Sequence, residues 1–577
     1  MKKLLFVFLI ISACQTKKNK NVFDFTTTFE KSQGTETGTY HEVIDYYKNL
    51  AAEYSEISIQ AIGQTDSGEP LHIVILNPGA LFNFSELRKN KRILLINNGI
   101  HPGESDGIDA TMLLYRDIVQ GKIEAPKNTV LVTIPIYNVG GSLNRNGTSR
   151  TNQNGPIAYG FRGNARNYDL NRDFIKSDTK NARTFAEIFH LVQPDVFIDN
   201  HVSNGADYQY TLTHLFTQHN KLGGDLGDYL HLQMMPKLEQ KLTTKNWDIT
   251  PYVNIFNQVP EKGFSQFMDS PRYSTGYTTL WNTLGMMVET HMLKPYKQRV
   301  DGTYELMKSM IEIVEEDHTN IKTLRDNAHL DILEGGNYPL SWKIDTTKSS
   351  TLNFKGFEGN MLPSTITGNQ RLKFDRSKPF NKEIVYQNYY KPDIYVSIPR
   401  AYVIPQGWHQ VIDLLTLNNV EMSRLEKDTT INVQSYKIDT YETKKQAYEG
   451  HYQHYNTSVK SSTEKLGFRT GDYIIETNQN ALRYLLETLE PQAPDSFFNW
   501  NFFDTILQQK EYFSPYVWED KASELLARNP KLQIDFNLKK TYDKAFAENW
   551  YTQLDWLHKQ SDYYEQAHLQ YPIYRIH

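Results

Sequence analysis

Arg92-Ile93-Leu94-Leu95-Ile96-Asn97-Asn98-Gly99-Ile100-His101-Pro102-Gly103-Glu104-Ser105-Asp106 is the stretch on which the fold turns. The apolar run Arg92 to Asn97 reads as a strand, and Asn98-Gly99 ends it. From Asp106 to Val119 the apolar residues recur at helical spacing, so an amphipathic helix follows. His101 and Glu104 therefore sit in a strand-to-helix loop. Loops that leave the C-terminal ends of strands are where open α/β sheets assemble their sites, because side chains from several strands converge there.

The same alternation extends in both directions. Tyr40 to Tyr54 has helical periodicity, and Leu71 to Leu76 is a strand-like run. Thr129 to Pro135 and Asp195 to Asp199 read as buried strands, with a helix-like stretch, Thr179 to Val192, before the second. Gly285 to Thr290 is a further strand, and Val300 to Leu324 one long amphipathic helix. Strands alternating with helices give an α/β layer architecture with a largely parallel sheet. At Gly335-Gly336 the character changes. Short β-branched and aromatic runs, such as Ile384 to Tyr390 and Ile431 to Tyr441, mark a small β-rich domain over 336–460. Helical periodicity returns over 461–577, with Asn480 to Glu487 and Ala522 to Arg528 the clearer segments.

The chain has 577 residues, enough for several domains, and its hydrophobic (39%) and charged (22%) fractions describe a globular protein. A net charge of −5 with both signs scattered provides no basic field for nucleic acid. Lys2 and Lys3 precede the apolar run Leu4 to Ile11, and small residues then lead to Cys14, the only cysteine. Ile11-Ser12-Ala13-Cys14 resembles a bacterial lipobox. Residues 1–14 are thus expected to be a lipoprotein signal, with lipid on Cys14 anchoring the protein in the cell envelope. Residues 15–38, polar and rich in Lys, Asn, Thr and Ser, read as a flexible tether, and the catalytic domain as 39–328.

Three residue types suited to metal and acid–base work lie at predicted strand ends: His101 and Glu104, His201, and Glu289. A catalytic zinc takes three protein ligands and leaves one position open; two imidazoles and a carboxylate form a known set, here His101, Glu104 and His201. With 17 histidines, about one H-x-x-E arises by chance. Its placement between strand and helix, with Gly103 freeing the backbone to turn, is what gives it weight. His451 and His454 could suggest a second metal, but no third ligand accompanies them.

Taken together, His101-Pro102-Gly103-Glu104, Asn171-Arg172, His201 after a strand, and Glu289 in Val288-Glu289-Thr290-His291 resemble the M14 family of zinc carboxypeptidases, over roughly residues 40–325. The resemblance implies an α/β/α sandwich with a mixed sheet of about eight strands, one zinc ion per chain, and removal of a C-terminal residue from a peptide. Glu289 would be the general base, with His291 as runner-up. Asn171-Arg172 matches the pair that holds the substrate's free carboxylate. Arg150 resembles the arginine that steadies the carbonyl oxygen as charge develops, with Arg145 as rival. Tyr273 or Tyr277 would supply the family's mobile tyrosine; spacing favours Tyr273 if a gap is allowed. Asp199 could orient a ligand from behind, and an inward-pointing Arg272 would favour an acidic terminal residue. Asp173 follows Asn171-Arg172 where digestive members carry asparagine.

Two other readings keep part of this picture. One is a zinc amidase or carboxypeptidase acting on muropeptides or N-acyl amino acids. The other is a non-catalytic binding module on the same fold. No protein partner is expected.

Overall fold

The apolar run at 93–96 forms the middle of an eight-stranded mixed sheet. The computed structural model describes residues 23–577, so the expected signal segment and Cys14 lie outside the described residues. Its first strands are β1 (Ile57–Gln64), β2 (Pro70–Leu76), β3 (Arg92–Asn97), β4 (Thr129–Ile134), β5 (Val196–Ser203), β6 (Leu212–Phe216) and β7 (Ile249–Pro251). After a short strand β8 (Phe264–Ser265) that lies elsewhere, β9 (Leu284–His291) completes the sheet in the order β1-β2-β4-β3-β5-β9-β6-β7. The central strands β4, β3, β5 and β9 run parallel, whereas β2 and β6 flank them antiparallel. β3, β4 and β5 are buried along their whole length, which is why β3 and β4 read as apolar runs and not alternations.

Alternation along β5 assigns the helical layers. Asn200 faces Met307 of the helix Tyr296–Glu316, which packs beside the helix Asp106–Val119. The neighbouring residues point the other way: Phe197 packs on Phe185 of the helix Lys180–Val192, and Asp199 bonds Ser274 of the helix Ser274–Thr279. Helices thus cover both faces, giving an α/β/α sandwich. Gly107 lets the first of these helices approach closely, since a Cβ there would lie 2.4 Å from Asn200 Cβ.

Three expectations change. The described part of the expected tether is docked: Thr27 and Glu30 cap a short helix reciprocally, Phe25 and Phe29 are buried, and Glu30 pairs with Arg116 at 2.6 Å. Its polar composition hid two anchoring aromatics. The helix expected over Val300 to Leu324 is two, Tyr296–Glu316 and His318–Gly335. At the junction Asp317 accepts from Tyr229 Oη and Lys237 Nζ, both 2.7 Å away, distant contacts that periodicity does not register. His201, expected just past its strand, lies inside β5.

Beyond Gly336, β10 (Asn337–Ile344) pairs with β13 (Tyr390–Ser397), and β11 (Ser350–Pro363) with β12 (Gln370–Gln387) forms a long hairpin that takes up β8. A six-stranded sheet follows, built from β14 (Ala401–Ile404), β15 (Ser423–Arg424), β16 (Thr429–Thr443), β17 (His454–Phe468), β18 (Tyr473–Glu476) and β19 (Tyr574–Ile576). The divide expected at 460/461 cuts through β17. The segment read as mainly helical also returns β19 to pair with β14 and β16. β17 is polar and largely exposed, so it carried no apolar signal. Among the described residues no helix is long and apolar enough to cross a membrane.

Candidate active site

Parallel register brings the singled-out residues to one edge. Asn97 pairs with Asp199 across β3 and β5, and His201 pairs with Glu289 across β5 and β9, so the last two side chains stand side by side on one face. After β3 the chain turns, and the Glu104 N–H closes on the His101 carbonyl at 2.8 Å. That turn sets the His101 and Glu104 side chains together beneath His201. Gly103 has a different role from the one expected: a Cβ there would lie 2.4 Å from Arg150 Cδ, so the glycine makes room for an arginine.

His101, Glu104 and His201 each offer a ligand atom within 4.8 Å of the others, and all three are buried. Glu104 Oε1 faces His101 Nδ1 at 3.2 Å; Oε2 faces His201 Nδ1 at 3.1 Å and accepts the Val202 N–H at 2.9 Å. Both rings therefore turn Nδ1 toward one carboxylate. Their far nitrogens are held from behind, His101 Nε2 by Asp169 Oδ1 at 2.9 Å and His201 Nε2 by Asp199 Oδ2 at 3.0 Å. A carboxylate behind each imidazole fixes ring orientation and raises the basicity of the opposite nitrogen. His101 Nδ1 and His201 Nε2 are both buried without a hydrogen bond of good geometry, the latter only at ion-pair distance from Asp199. Two imidazole nitrogens and a carboxylate oriented in this way fit zinc. Among the described residues no other group of three could hold a metal. His451 instead binds Asp178, and His454 binds Asp504.

Burial disfavours ionisation of Glu104, but Arg150, with Nη1 2.9 Å away, and the two histidines outweigh it and hold the carboxyl well below the usual range. Glu289 shows the reverse. Burial pushes its carboxyl up to about 7 against the pull of His201, and repulsion from Glu104 adds to the rise. Among the described residues its carboxylate makes no ion pair or hydrogen bond. His291 is already engaged: its Nε2 lies 3.1 Å from Asp207 and its ring stacks on Tyr208.

The arginines within residues 145–172 sort by contact. Arg150 reaches Glu104, and its Nε binds Gln153, which in turn donates to the Gly103 carbonyl. Arg145 bonds the carbonyls of Thr37, Gly38 and Ala158 and stays out of the cluster. Asn171 and Arg172 lie in a single helical turn. The Asn171 N–H bonds Asp169, and Asn171 Oδ1 accepts the Ser274 N–H. The Arg172 guanidinium lies 4.5 Å above the Tyr273 ring, while Tyr277 is fully buried and bonded to Asn418. Ser274 Oγ donates to Asp199 at 2.6 Å, so Asn171, Ser274, Asp199 and His201 form one continuous chain of contacts. Arg272 points elsewhere: both Nε and Nη2 bind Asp495 Oδ1 at 2.8 Å, so it does not face a terminal side chain.

One member, Asp169, escaped the sequence reading. Asp169 accepts His101 through Oδ1 and Arg162 through Oδ2, at 3.0 Å from Nε and 2.8 Å from Nη2. Although burial opposes it, contacts with His101 and the nearby Arg162 and Arg172 hold its carboxyl far below the usual range. Its only local signal was its place two residues before Asn171. Arg162 also comes within 3.8 Å of Glu104.

The comparisons agree with this geometry. Residues 43–196 match the Peptidase M14 model, described as zinc carboxypeptidase; that span holds His101, Glu104, Arg150, Asn171 and Arg172 and stops before His201 and Glu289. "Carboxypeptidase 2" of Trichophyton rubrum is 20% identical over 503 residues, covering 81% of this chain and 84% of its own. Its namesake from Trichophyton tonsurans is 22% identical over 441 residues, covering 70% and 72%. Among solved structures, carboxypeptidase A from Helicoverpa armigera is 13% identical, covering 48% of this chain and 74% of its own, with a TM-score of 0.36. A metallo-carboxypeptidase from Burkholderia cenocepacia is also 13% identical, covering 47% and 68%, with a TM-score of 0.35. The part of the chain that includes His101 and Glu104 is thus similar to the M14 zinc carboxypeptidase family.

Proposed function

We propose that the protein is a zinc-dependent metallocarboxypeptidase that hydrolyses the last peptide bond of substrates with a free C-terminus. The observation that carries this reading is the joining of two devices through one hydrogen-bonded frame: the His101–Glu104–His201 cradle, and a carboxylate clamp of Asn171 and Arg172 beside it. A guanidinium and an amide next to a metal cradle suit an enzyme that recognises the terminal α-carboxylate beside the bond it cuts.

One zinc ion bound by these three residues would supply Lewis acidity. The protein groups do the rest. Arg172 and Asn171 anchor the terminal carboxylate, with Tyr273 over the guanidinium closing that end. Arg150, next to Glu104, stabilises the carbonyl oxygen as it gains charge. Glu289 accepts a proton from the attacking water and passes it to the leaving amine, a double task that suits a carboxyl lifted toward neutrality. Asp169 and Asp199 hold the two imidazoles in place.

The test is digestion of peptides with free or amidated C-termini, with and without a zinc chelator. Release of single terminal residues from free ends only, lost on chelation and restored by zinc, is expected; cleavage at internal bonds alone would end the exopeptidase reading. A parallel assay on muropeptides would reveal the wall-directed alternative if they alone are cut. We further propose lipid attachment at Cys14 and an envelope location, checked by metabolic labelling with a fatty acid in the native protein and in Cys14→Ser.

A further inference from the structure

The C-terminal unit, residues 401–577, touches the Tyr168–Asp169 turn just before the carboxylate clamp through a hairpin tip that is poorly suited to being a turn. Tyr448 and His451 exchange two backbone hydrogen bonds, of 2.7 and 3.1 Å, around a two-residue loop, Glu449-Gly450. Both loop residues have positive φ, 49° for Glu449 and 80° for Gly450. Two-residue hairpin loops of this kind favour Asn or Asp followed by Gly. Gly450 fits. Glu449 does not: the left-handed region is unfavourable for a residue that carries a Cβ.

What the glutamate does there is visible in its contacts. Glu449 Oε2 accepts the Asp169 N–H at 2.9 Å, across 280 residues of chain. The tip is pressed onto the preceding residue, because a Cβ on Gly450 would lie 2.6 Å from Tyr168 Oη. His451 fastens the base of the hairpin, with Nε2 2.8 Å from Asp178 Oδ2. Asp178 in turn binds the fully buried Lys176 ammonium at 2.7 Å, and Lys176 binds Asp173 at 2.5 Å. The residue gripped by Glu449 is the one whose carboxylate holds His101, Arg162 and the Asn171 N–H. Strain retained where a side chain reaches into a site is the mark of a residue kept for function.

We propose that Glu449 is a positioning residue of the active centre, supplied by the C-terminal unit, which fixes the Asp169 turn so that His101 and the Asn171–Arg172 clamp keep their mutual geometry. The proposal rests on the zinc reading given above. The C-terminal unit is then part of the enzyme's working site and not an appended module.

Equilibrium zinc competition against a chromogenic chelator, thermal unfolding and steady-state kinetics on the purified protein test it. Glu449→Gly relieves the left-handed strain, so its Tm should equal or exceed that of the native protein, while zinc dissociation and KM for free-carboxylate peptides rise about tenfold, the lower end for loss of a residue supporting a metal ligand. Glu449→Gln keeps an acceptor oxygen and should restore most of both. Unchanged zinc affinity and KM in Glu449→Gly would overturn the proposal, as would equal losses in the two variants. If the native protein binds zinc but releases no terminal residue, the carboxypeptidase reading fails while the zinc comparison between variants still reads out.

Discussion

Glu104 and Asp106 are two residues apart, both buried, and they anchor charge clusters of opposite character. Around Asp106 everything is answered. Arg299 is wholly buried, and its guanidinium donates to Asp106 through Nε at 3.0 Å and Nη2 at 3.4 Å, and to the carbonyls of Asn154, Lys294 and Gly155. Thr290 Oγ1 completes the carboxylate at 2.5 Å. Around Glu104 the groups are braced at close range by Arg150, Asp169 and Asp199, while His101 Nδ1, His201 Nε2 and the Glu289 carboxylate lack protein hydrogen bonds. A buried charge cluster closed on itself is scaffold; one braced from behind with donors turned inward is built to receive something.

The comparison predicts different failures for the two clusters. Glu289→Gln should lower kcat by ~10²–10⁴-fold, the range for loss of a positioned general base, with zinc content and unfolding midpoint unchanged; full activity in that variant would remove Glu289 from the chemistry. Arg299→Met should act only on stability, by ~3–5 kcal/mol, because it leaves Asp106 charged and buried without a partner; urea unfolding measures this, and a cost below 1 kcal/mol would mean that the pair behaves as an exposed one. Arg172→Ala should raise KM for peptides with a free C-terminus by ~10–100-fold, the worth of a hydrogen bond to a charged group, and leave amidated peptides unaffected.

The last effect, a dependence on pH, belongs to a neighbour of the closed cluster. Burial pushes the Asp109 carboxyl up to about 7, and Tyr296 donates to it. Because the folded chain keeps this proton after the unfolded chain has lost it, Asp109's contribution is full below about pH 4 and lost as pH rises to about 7. The loss is at most ~1.4 kcal/mol per pH unit. Unfolding free energies from pH 4 to 8 should therefore fall less steeply in Asp109→Asn than in the native protein, and identical slopes would exclude the shift.

Much of this was legible from local pattern. The helix Asp106–Val119 and strand β3 have the bounds that periodicity and turn residues imply. His101, Glu104, His201 and Glu289 could be placed at strand ends because parallel strands align their C-terminal edges. Legibility failed wherever a residue's meaning depended on a distant partner. Asp169 looked like one more polar loop residue, Arg272 like a pocket cation, and residues 23–38 like tether, until His101, Asp495 and Arg116 respectively were brought alongside.

By itself, then, the sequence determined the layered α/β plan and singled out the residues proposed for the metal and the substrate carboxylate, because the first follows from short-range periodicity and the second from a motif order that resembles the family's. Only the tertiary structure decided which arginine faces the cradle, which aspartates brace its imidazoles, and that a glutamate 280 residues away holds the Asp169 turn. Those assignments depend on side-chain contacts between segments far apart in the chain, and neither periodicity nor local propensity encodes them.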